Sequence, residues 1–268
     1  MNKCKICSGN TTVIFSKKIL NKHLTNYNHC NNCKFICTDT PHWLPEAYST
    51  AITKLDIGLL NRNLRMLQVV PEIIDCCVPN ASKLLDYAGG YGIFSRLMRD
   101  EGYNYFHHDS YCENIFAKYF ECNDLSNIQF DFITAFEVLE HFEDPLHEVE
   151  KIFDLSQNVL FTTELIPIDF SQLENWWYLS LETGQHISFY SSESLKLIAE
   201  KHKLNYYNRN NQLHLFTKNK LSEQQVDFFV NSNRLNSKWF GLKKQSISFK
   251  KQRNSLLQQD YDFIKKTL

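Results

Sequence analysis

One stretch decides the fold of this chain: Leu85-Asp86-Tyr87-Ala88-Gly89-Gly90-Tyr91-Gly92. It begins inside a short apolar run and leads into apolar residues at helical spacing. Glycines at the end of a strand let the backbone approach a ligand closely, because they carry no side chain. The pattern therefore predicts a strand, a glycine loop and a helix, in that order.

The following segments complete a βαβ unit. Glu101-Gly102 ends the predicted helix, and residues 103–108 are predicted as a second strand that ends at Asp109. An acidic residue at that place can accept hydrogen bonds from both ribose hydroxyls of an adenosine ligand. In a dinucleotide site a third glycine would follow the loop, but Ser95 stands there instead.

Strands and helices continue to alternate downstream. Strands are predicted at residues 130–136, 159–163 and 213–216, with helices that begin at Pro145 and after Ser191. Such alternation is typical of an α/β fold with a doubly wound, mostly parallel sheet, and the last strand is expected to be antiparallel.

Two segments flank this region. Residues 43–79 are predicted as a helical linker, because leucines recur at three- and four-residue steps from Leu55 to Leu67. Residues 218–268 form a basic extension, predicted to be helical at its end, where Leu257, Tyr261, Ile264 and Leu268 share a face.

The charge is distributed unevenly. Residues 218–268 contain 11 Lys and Arg against 4 Asp and Glu, whereas the first 217 residues contain 18 against 26. The extension either folds back on the acidic body as a solvated helical face or contacts a membrane surface or a polyanion.

Nine cysteines occur in a chain without an apolar export signal, so a cytoplasmic location and metal ligands are favoured over disulfides. Two CxxC pairs, separated by 22 residues, can converge on a tetrahedral site. Four thiolates leave no open coordination position, so residues 1–42 are predicted as a small module held by structural zinc. The ligands are Cys4, Cys7, Cys30 and Cys33.

The glycine stretch resembles motif I of the class I S-adenosylmethionine-dependent methyltransferases. Residues 136–141, followed by Asp144-Pro145, resemble the motif after their fourth strand, and the resemblance covers residues 80–217. It implies a Rossmann-like domain. Asp86 and the loop would hold the methionine part of the cofactor, and Asp109 the ribose. The implied cofactor residues are Asp86, Tyr87, Ala88, Gly89, Gly90, Gly92, Asp109, Phe136 and Glu137. One departure is Ala88, which replaces the first glycine of the family pattern and should tighten the loop without blocking it.

The cysteine module before such a domain further resembles a bacterial group that modifies sugars, including nucleotide-sugar C-methyltransferases. That group carries a Glu-His pair before a Ser-aromatic-Phe-Ser run, whereas this chain has Gln185-His186 before Ser188. Glutamine cannot take a proton from carbon, so C-methylation is disfavoured and His186 becomes a candidate base.

Transfer to a hydroxyl oxygen requires a base near neutrality, which suits histidine. His186 and His141 both qualify, although His141 can equally belong to the cofactor wall, and Glu164 can orient either ring. Three aromatic residues, Trp176, Trp177 and Tyr178, can stack on a sugar ring or pack in the core.

These observations favour O-methylation of a sugar in a glycan, a lipid-linked glycan or a nucleotide sugar. Methylation of a small quinone-like or natural-product acceptor is the second hypothesis. A third is a non-catalytic zinc-ribbon adaptor that binds cofactor, or an RNA-binding protein. The acidic body argues against nucleic acid as a partner.

Overall fold

The structure is a computed structural model that describes residues 3–231 and 249–268. The strands are β1 (Thr11–Ile19), β2 (His23–Cys30), β3 (Ile36–Thr38), β4 (Leu84–Tyr87), β5 (Tyr105–His108), β6 (Phe132–Phe136), β7 (Asn158–Thr162), β8 (Ser188–Phe189), β9 (Asn205–Arg209) and β10 (Leu213–Thr217). The helices are α1 (Leu44–Ala47), α2 (Leu59–Leu67), α3 (Val70–Cys77), α4 (Ile93–Asp100), α5 (Pro145–Leu155), α6 (Ser192–Lys201), α7 (Glu223–Asn231) and α8 (Leu257–Thr267).

The larger sheet has six strands in the order β5-β4-β6-β7-β10-β9. The first four run parallel, and β10 is antiparallel to both of its neighbours. Leu84 and Leu85 in β4 belong to two different buried clusters, one on each face of the sheet. This confirms the predicted doubly wound α/β sheet with a late antiparallel strand, because both faces are covered.

Local sequence signals explain where the helices of this domain begin. The Asp144 carboxylate accepts a hydrogen bond from the backbone N–H of His147, and Pro145 occupies the first helical position of α5. Ser191 and Ser194 form a reciprocal capping box at the start of α6. Both helices therefore begin where the sequence predicts.

The segment predicted as a helical linker, residues 43–79, is divided into three helices, α1, α2 and α3. The leucine repeat also does not mark the packed face throughout. Leu55 is 64% exposed and Leu60 is 57% exposed, whereas Met66 is buried in the core. Repetition at helical spacing thus predicted helical structure correctly but not its continuity or its buried side.

The N-terminal module is joined to the main domain by a shared sheet. Its strands β1, β2 and β3 are extended by β8, in which Phe189 pairs with Ile36. Tyr27 and Ile36 pack in one cluster with Leu179 and Phe189. The module thereby shares a core with the domain that follows it, since it is too small to bury one alone.

The C-terminal helix α8 is anchored on α4 by a buried ion pair. Asp260, which is 2% exposed, accepts hydrogen bonds from Arg99 Nε and Nη2 at 2.7 and 2.6 Å and from Arg96 Nη1 at 2.9 Å. Arg253 likewise pairs with Asp75 at 2.6 Å. Helical structure at the end of the extension is confirmed, while residues 232–248 of the predicted basic extension lie outside the described residues.

Within residues 3–231 and 249–268, no helix combines the length and the apolar character that crossing a bilayer requires.

Candidate active site

The glycine loop lies between β4 and α4, as predicted. Gly90 has a φ of +59°, a backbone conformation that side chains disfavour. A Cβ atom on Gly89 would lie 2.5 Å from Asp86 Oδ2, so no larger residue fits there without displacing the carboxylate. Tyr87, Ala88, Gly89 and Gly90 all line one cavity, and Gly92 immediately precedes α4.

Asp86 is buried beneath this loop. Its carboxylate accepts hydrogen bonds from the hydroxyls of Thr134 at 2.9 Å and Ser95 at 3.4 Å. Burial raises the pKa of Asp86 to about 7, against the opposing effect of these two hydroxyls. The hydrogen bonds thus fix the Asp86 side chain in place, but its carboxylate takes up a proton near neutral pH when no cation is close.

Asp109 connects the end of β5 to the loop. Its Oδ2 accepts a hydrogen bond from the Gly90 N–H at 2.9 Å, and its Oδ1 accepts from the N–H groups of Tyr111 and Cys112 at 2.7 Å each. His107 Nε2 lies 2.9 Å from Gly90 O, on the opposite side of the same residue. These contacts hold the predicted ribose-binding carboxylate against the predicted methionine-binding loop.

The cavity has a volume of about 1550 Å³. A pocket for one drug-sized ligand measures roughly 300–1,000 Å³, so there is room for a cofactor and an acceptor together. The glycine loop and Asp109 line it. So do residues of α2, His141 of the helical turn Leu139–His141, and residues of the segment 177–186.

Phe136, the last residue of β6, and Glu137, which follows it, lie at the cavity wall. The Phe136 ring lies edge-on to Phe94, with ring centroids 5.1 Å apart. Glu137 has a φ of +54°, and its N–H donates to Thr162 Oγ1 at 2.9 Å. A left-handed conformation at a residue other than glycine is costly and is often found at functional sites.

His141 and His186 come together although 45 residues separate them. Their ring centroids are 5.0 Å apart, and both rings line the cavity. His186 Nδ1 lies 2.8 Å from the carbonyl oxygen of Tyr178, so Nδ1 carries the proton and Nε2 does not. Burial lowers the pKa of His186 to about 3 and that of His141 to about 4.

The structure does not bring Glu164 to this pair. Glu164 accepts a hydrogen bond from the Gln212 side chain and lies outside the residues that line the cavity. Glu140 lies beside the two histidines instead, with one ligand atom from each of the three side chains within 4.8 Å of the others. Glu140 belongs to the motif at residues 136–141, but its complete burial results from tertiary packing that no local pattern indicates.

The three predicted aromatic residues divide between two environments. Trp177 is 71% exposed at the cavity wall, whereas Tyr178 is buried and its hydroxyl lies 3.4 Å from Glu137 Oε2. Trp176 packs against Phe189 and lies outside the cavity lining. Of the three, Trp177 presents the most open face to a ligand.

Two further contributions from outside the motifs complete the site. The Tyr48 hydroxyl lies 2.9 Å from His141 Nδ1. The Gln185 side-chain N–H donates to Ala47 O at 2.9 Å and also reaches Thr50 O and Ala51 O. No short sequence pattern marks Tyr48, because its role depends on a contact across 93 residues.

The four predicted metal ligands converge in the N-terminal module. Cys4 Sγ lies 3.5 Å from Cys33 Sγ, and Cys7 Sγ lies 3.4 Å from Cys30 Sγ. All four sulfur atoms lie within 4.8 Å of one another, and none forms a disulfide. Four converging thiols of this kind fit a tetrahedral metal ion.

Several solved structures are similar to this chain at low sequence identity. Magnesium protoporphyrin IX methyltransferase from Synechocystis PCC 6803, with bound SAH, is 11% identical with a TM-score of 0.44, over 65% of this chain and 92% of that one. An O-methyltransferase family 2 protein from Planctomyces limnophilus, in complex with apigenin, is 17% identical with a TM-score of 0.45, over 66% and 65%. Human N-acetylserotonin methyltransferase with SAM is 12% identical with a TM-score of 0.40, over 66% of both chains.

Structural similarity at such low sequence identity gives no information about the acceptor. No curated protein sequence matches the chain. The profile of a family described as "Methyltransferase domain" matches residues 60–208, which is more than half of the chain. Those residues include the glycine loop, Asp109 and the Phe136–His141 motif. The chain therefore belongs to this methyltransferase domain family and is a class I S-adenosylmethionine-dependent methyltransferase.

Proposed function

We propose that this methyltransferase transfers its methyl group to a hydroxyl oxygen of a sugar, in a glycan, a lipid-linked glycan or a nucleotide sugar. The observation that carries the proposal is the pair His141 and His186, which lines the same cavity as the glycine loop. A hydroxyl placed there would meet the imidazole rings of both histidines, within the cavity that the glycine loop also lines.

The residues present fit the cofactor. Asp86, the loop from Ala88 to Gly92, Asp109 and the Phe136-Glu137 wall would hold it, because they combine two carboxylates with a close backbone approach. S-adenosylmethionine supplies a methyl group on a positively charged sulfur. Asp86 is placed to balance positive charge, and Asp109 to accept hydrogen bonds from a ribose.

The acceptor oxygen must lose its proton as the methyl group arrives. His186 presents an unprotonated Nε2, since its Nδ1–H donates to Tyr178 O. A pKa near 3 makes the ring a weak base when it acts alone. We therefore assign His186 to the acceptor oxygen and expect a second group to assist removal of the proton.

Gln185 supports an oxygen acceptor over a carbon acceptor. Its side-chain amide donates to three backbone carbonyls between residues 47 and 51. A carboxylate at this position has no N–H to donate, so the glutamine serves to hold the cavity wall. C-methylation would need a base at residue 185, but the amide of Gln185 instead holds backbone carbonyls in place.

Trp177 supports a sugar as the acceptor, because its exposed ring at the cavity wall offers an apolar face for stacking. Contact of the C-terminal extension with a membrane surface or a polyanion also stays a proposal. In the described part, Lys250 pairs with Glu101 and Arg253 with Asp75, so these two charges are already engaged.

We also propose that the cysteine cluster binds structural zinc. Cobalt-substituted protein should show thiolate charge-transfer absorption, which Cys33→Ser should weaken strongly. Cys112→Ser, a cysteine outside the cluster, should leave it unchanged. The same absorption in both variants would overturn the metal assignment.

The acceptor is tested by incubating the purified protein with labelled S-adenosylmethionine and nucleotide sugars, glycan extracts, phenolic compounds and RNA. Label in sugar hydroxyls supports the proposal. Transfer only to phenolic compounds or only to RNA would overturn it in favour of the corresponding acceptor class. Cofactor binding without any transfer would favour a non-catalytic adaptor.

The role of His186 is tested in the same assay. His186→Ala should lower turnover by about 100-fold or more while leaving cofactor affinity nearly unchanged. His147→Ala, an exposed histidine on α5, should behave like the wild type. Unchanged turnover in His186→Ala would remove this residue from the reaction.

A further inference from the structure

Glu140 is a buried carboxyl group near the hydroxyls of Tyr178 and Thr163, but neither hydroxyl forms a well-aligned hydrogen bond with it. It is 0% exposed, and neither of its oxygens has a hydrogen-bond partner among the described residues. The nearby guanidinium of Arg62 donates to both oxygens of Asp56, at 2.8 and 2.7 Å, and so is already paired. A buried carboxylate is expensive unless a cation or several donors compensate it.

The two neighbouring histidines present lone pairs. His186 donates its Nδ1 proton to Tyr178 O at 2.8 Å. His141 Nδ1 lies 3.1 Å from Gln185 O, which can only accept, and 2.9 Å from the Tyr48 hydroxyl, which can accept or donate. Nε2 is therefore unprotonated in His186, and it is unprotonated in His141 when Nδ1 donates to Gln185 O.

This arrangement is typical of histidines that bind metal. A ligating imidazole almost always donates its other ring N–H to a carboxylate or a backbone carbonyl, which fixes the tautomer and the ring orientation. His141 and His186 both show that contact. The two rings are inclined at 87°, and their ligand atoms and that of Glu140 all lie within 4.8 Å of one another.

We infer that Glu140, His141 and His186 bind one divalent transition-metal cation at the wall of the cavity. Two imidazoles and one carboxylate favour a first-row ion such as Fe²⁺, Co²⁺ or Zn²⁺ over Mg²⁺ or Ca²⁺, which prefer oxygen ligands. The cation would balance the charge of ionised Glu140, because the nearby guanidinium of Arg62 is hydrogen-bonded to Asp56 instead.

The site also suggests a use for the cation in catalysis. Three protein ligands leave coordination positions open, and both histidines line the cavity where the acceptor is proposed to bind. A hydroxyl oxygen bound to a divalent cation becomes more acidic. His186 would then act as a ligand and not as the base: the cation would make the bound hydroxyl more acidic, and its proton would pass to solvent water. This consequence rests on the proposed function, whereas metal binding itself does not.

The test is a titration of full-length protein with Co²⁺ after dialysis against a chelator. Binding at the proposed site should produce d–d absorption without a thiolate charge-transfer band, at one Co²⁺ per chain beyond any held by the cysteines. Glu140→Gln and His186→Ala should each weaken this binding by about tenfold or more. Both retain a similar or smaller side chain, and circular dichroism checks that each variant is folded.

Two controls locate the ion. His147→Ala should bind Co²⁺ like the wild type, because His147 is exposed and lies outside the cluster. Cys33→Ser should change only the thiolate band. The inference is overturned if the wild type shows no nitrogen- and oxygen-type absorption, or if that absorption is unaffected in both Glu140→Gln and His186→Ala.

The outcomes separate this inference from the proposed function. Methyl transfer to a sugar in a protein that binds no Co²⁺ outside the cysteines would refute the cation site and leave the acceptor proposal intact. Co²⁺ binding at the site without transfer to any sugar would support the cation site and refute the acceptor proposal.

Discussion

At the scale of single residues, Asp86 shows how burial prepares a carboxyl group for a cationic ligand. The side chain accepts two hydroxyl hydrogen bonds, but burial dominates and raises its pKa to about 7. A ligand with an ammonium group nearby would favour the ionised form and lower that pKa again. Binding should therefore release a proton whenever Asp86 is protonated in the free protein.

This linkage predicts that cofactor affinity falls as the pH is lowered below about 7. Between about pH 7 and pH 6 the loss should be about fivefold, because the ionised fraction of Asp86 falls from about one half to about one tenth. Calorimetric titrations with S-adenosylhomocysteine at several pH values would measure it. Asp86→Asn should bind more weakly at neutral pH and with little dependence on pH. A wild-type affinity that is constant across this range would contradict the assignment of Asp86.

Ala88 stands where the family pattern has its first glycine, and its φ of +54° explains the family preference. The left-handed conformation costs an alanine about 1–2 kcal/mol. The expectation that Ala88 fits the loop without blocking it agrees with this geometry, since the residue lines the cavity in the predicted loop.

Ala88→Gly should therefore stabilise the protein, by about 0.5–1 kcal/mol after the greater freedom of glycine in the unfolded chain is counted. Gly90→Ala provides the opposite control. Its φ is +59° and its added Cβ would lie 3.3 Å from Ile52, so it should destabilise. Urea unfolding measures both, and a destabilised Ala88→Gly would show that the loop conformation differs from the one described.

At the scale of elements, the C-terminal helix shows what sequence periodicity misses. Leu257, Tyr261, Ile264 and Leu268 were predicted to share a face, yet Leu257 and Tyr261 are each 59% exposed and Asp260 is buried. The helix docks through a charge that pairs with Arg99, and the residue types alone do not reveal it. A buried ion pair can be recognised only when both partners are placed.

Removing this charge should be costly. Asp260→Ala leaves Arg99 buried without its partner, and the expected loss is about 3–5 kcal/mol of unfolding free energy. Asp262→Ala, an exposed aspartate on the same helix, should change stability by less than about 0.5 kcal/mol. Equal effects of the two substitutions in chemical denaturation would contradict the docking of α8 on α4.

At the scale of the whole molecule, the parts that sequence predicts are those set by local patterns. Three features depend on residues close in sequence or on a known spacing. They are the strand, glycine loop and helix around Gly90, the caps at Asp144 and Ser191, and the convergence of two CxxC pairs. Strand β3 pairs with β8, which lies about 150 residues away in sequence, so no local pattern predicts this pairing. The burial of Glu140 likewise could not be predicted from a local pattern, because it results from the packing of several distant segments.

The central claim is that the glycine loop and Asp109 bind S-adenosylmethionine. The most direct measurement is a calorimetric titration of the wild type and of Asp109→Asn with S-adenosylhomocysteine at neutral pH. The account predicts one site per chain in the wild type. It also predicts an affinity lower by about 10- to 100-fold in the variant, because a carboxylate that binds hydroxyls contributes about 1.5–3 kcal/mol. No heat of binding in the wild type, or equal affinity in both proteins, would contradict it.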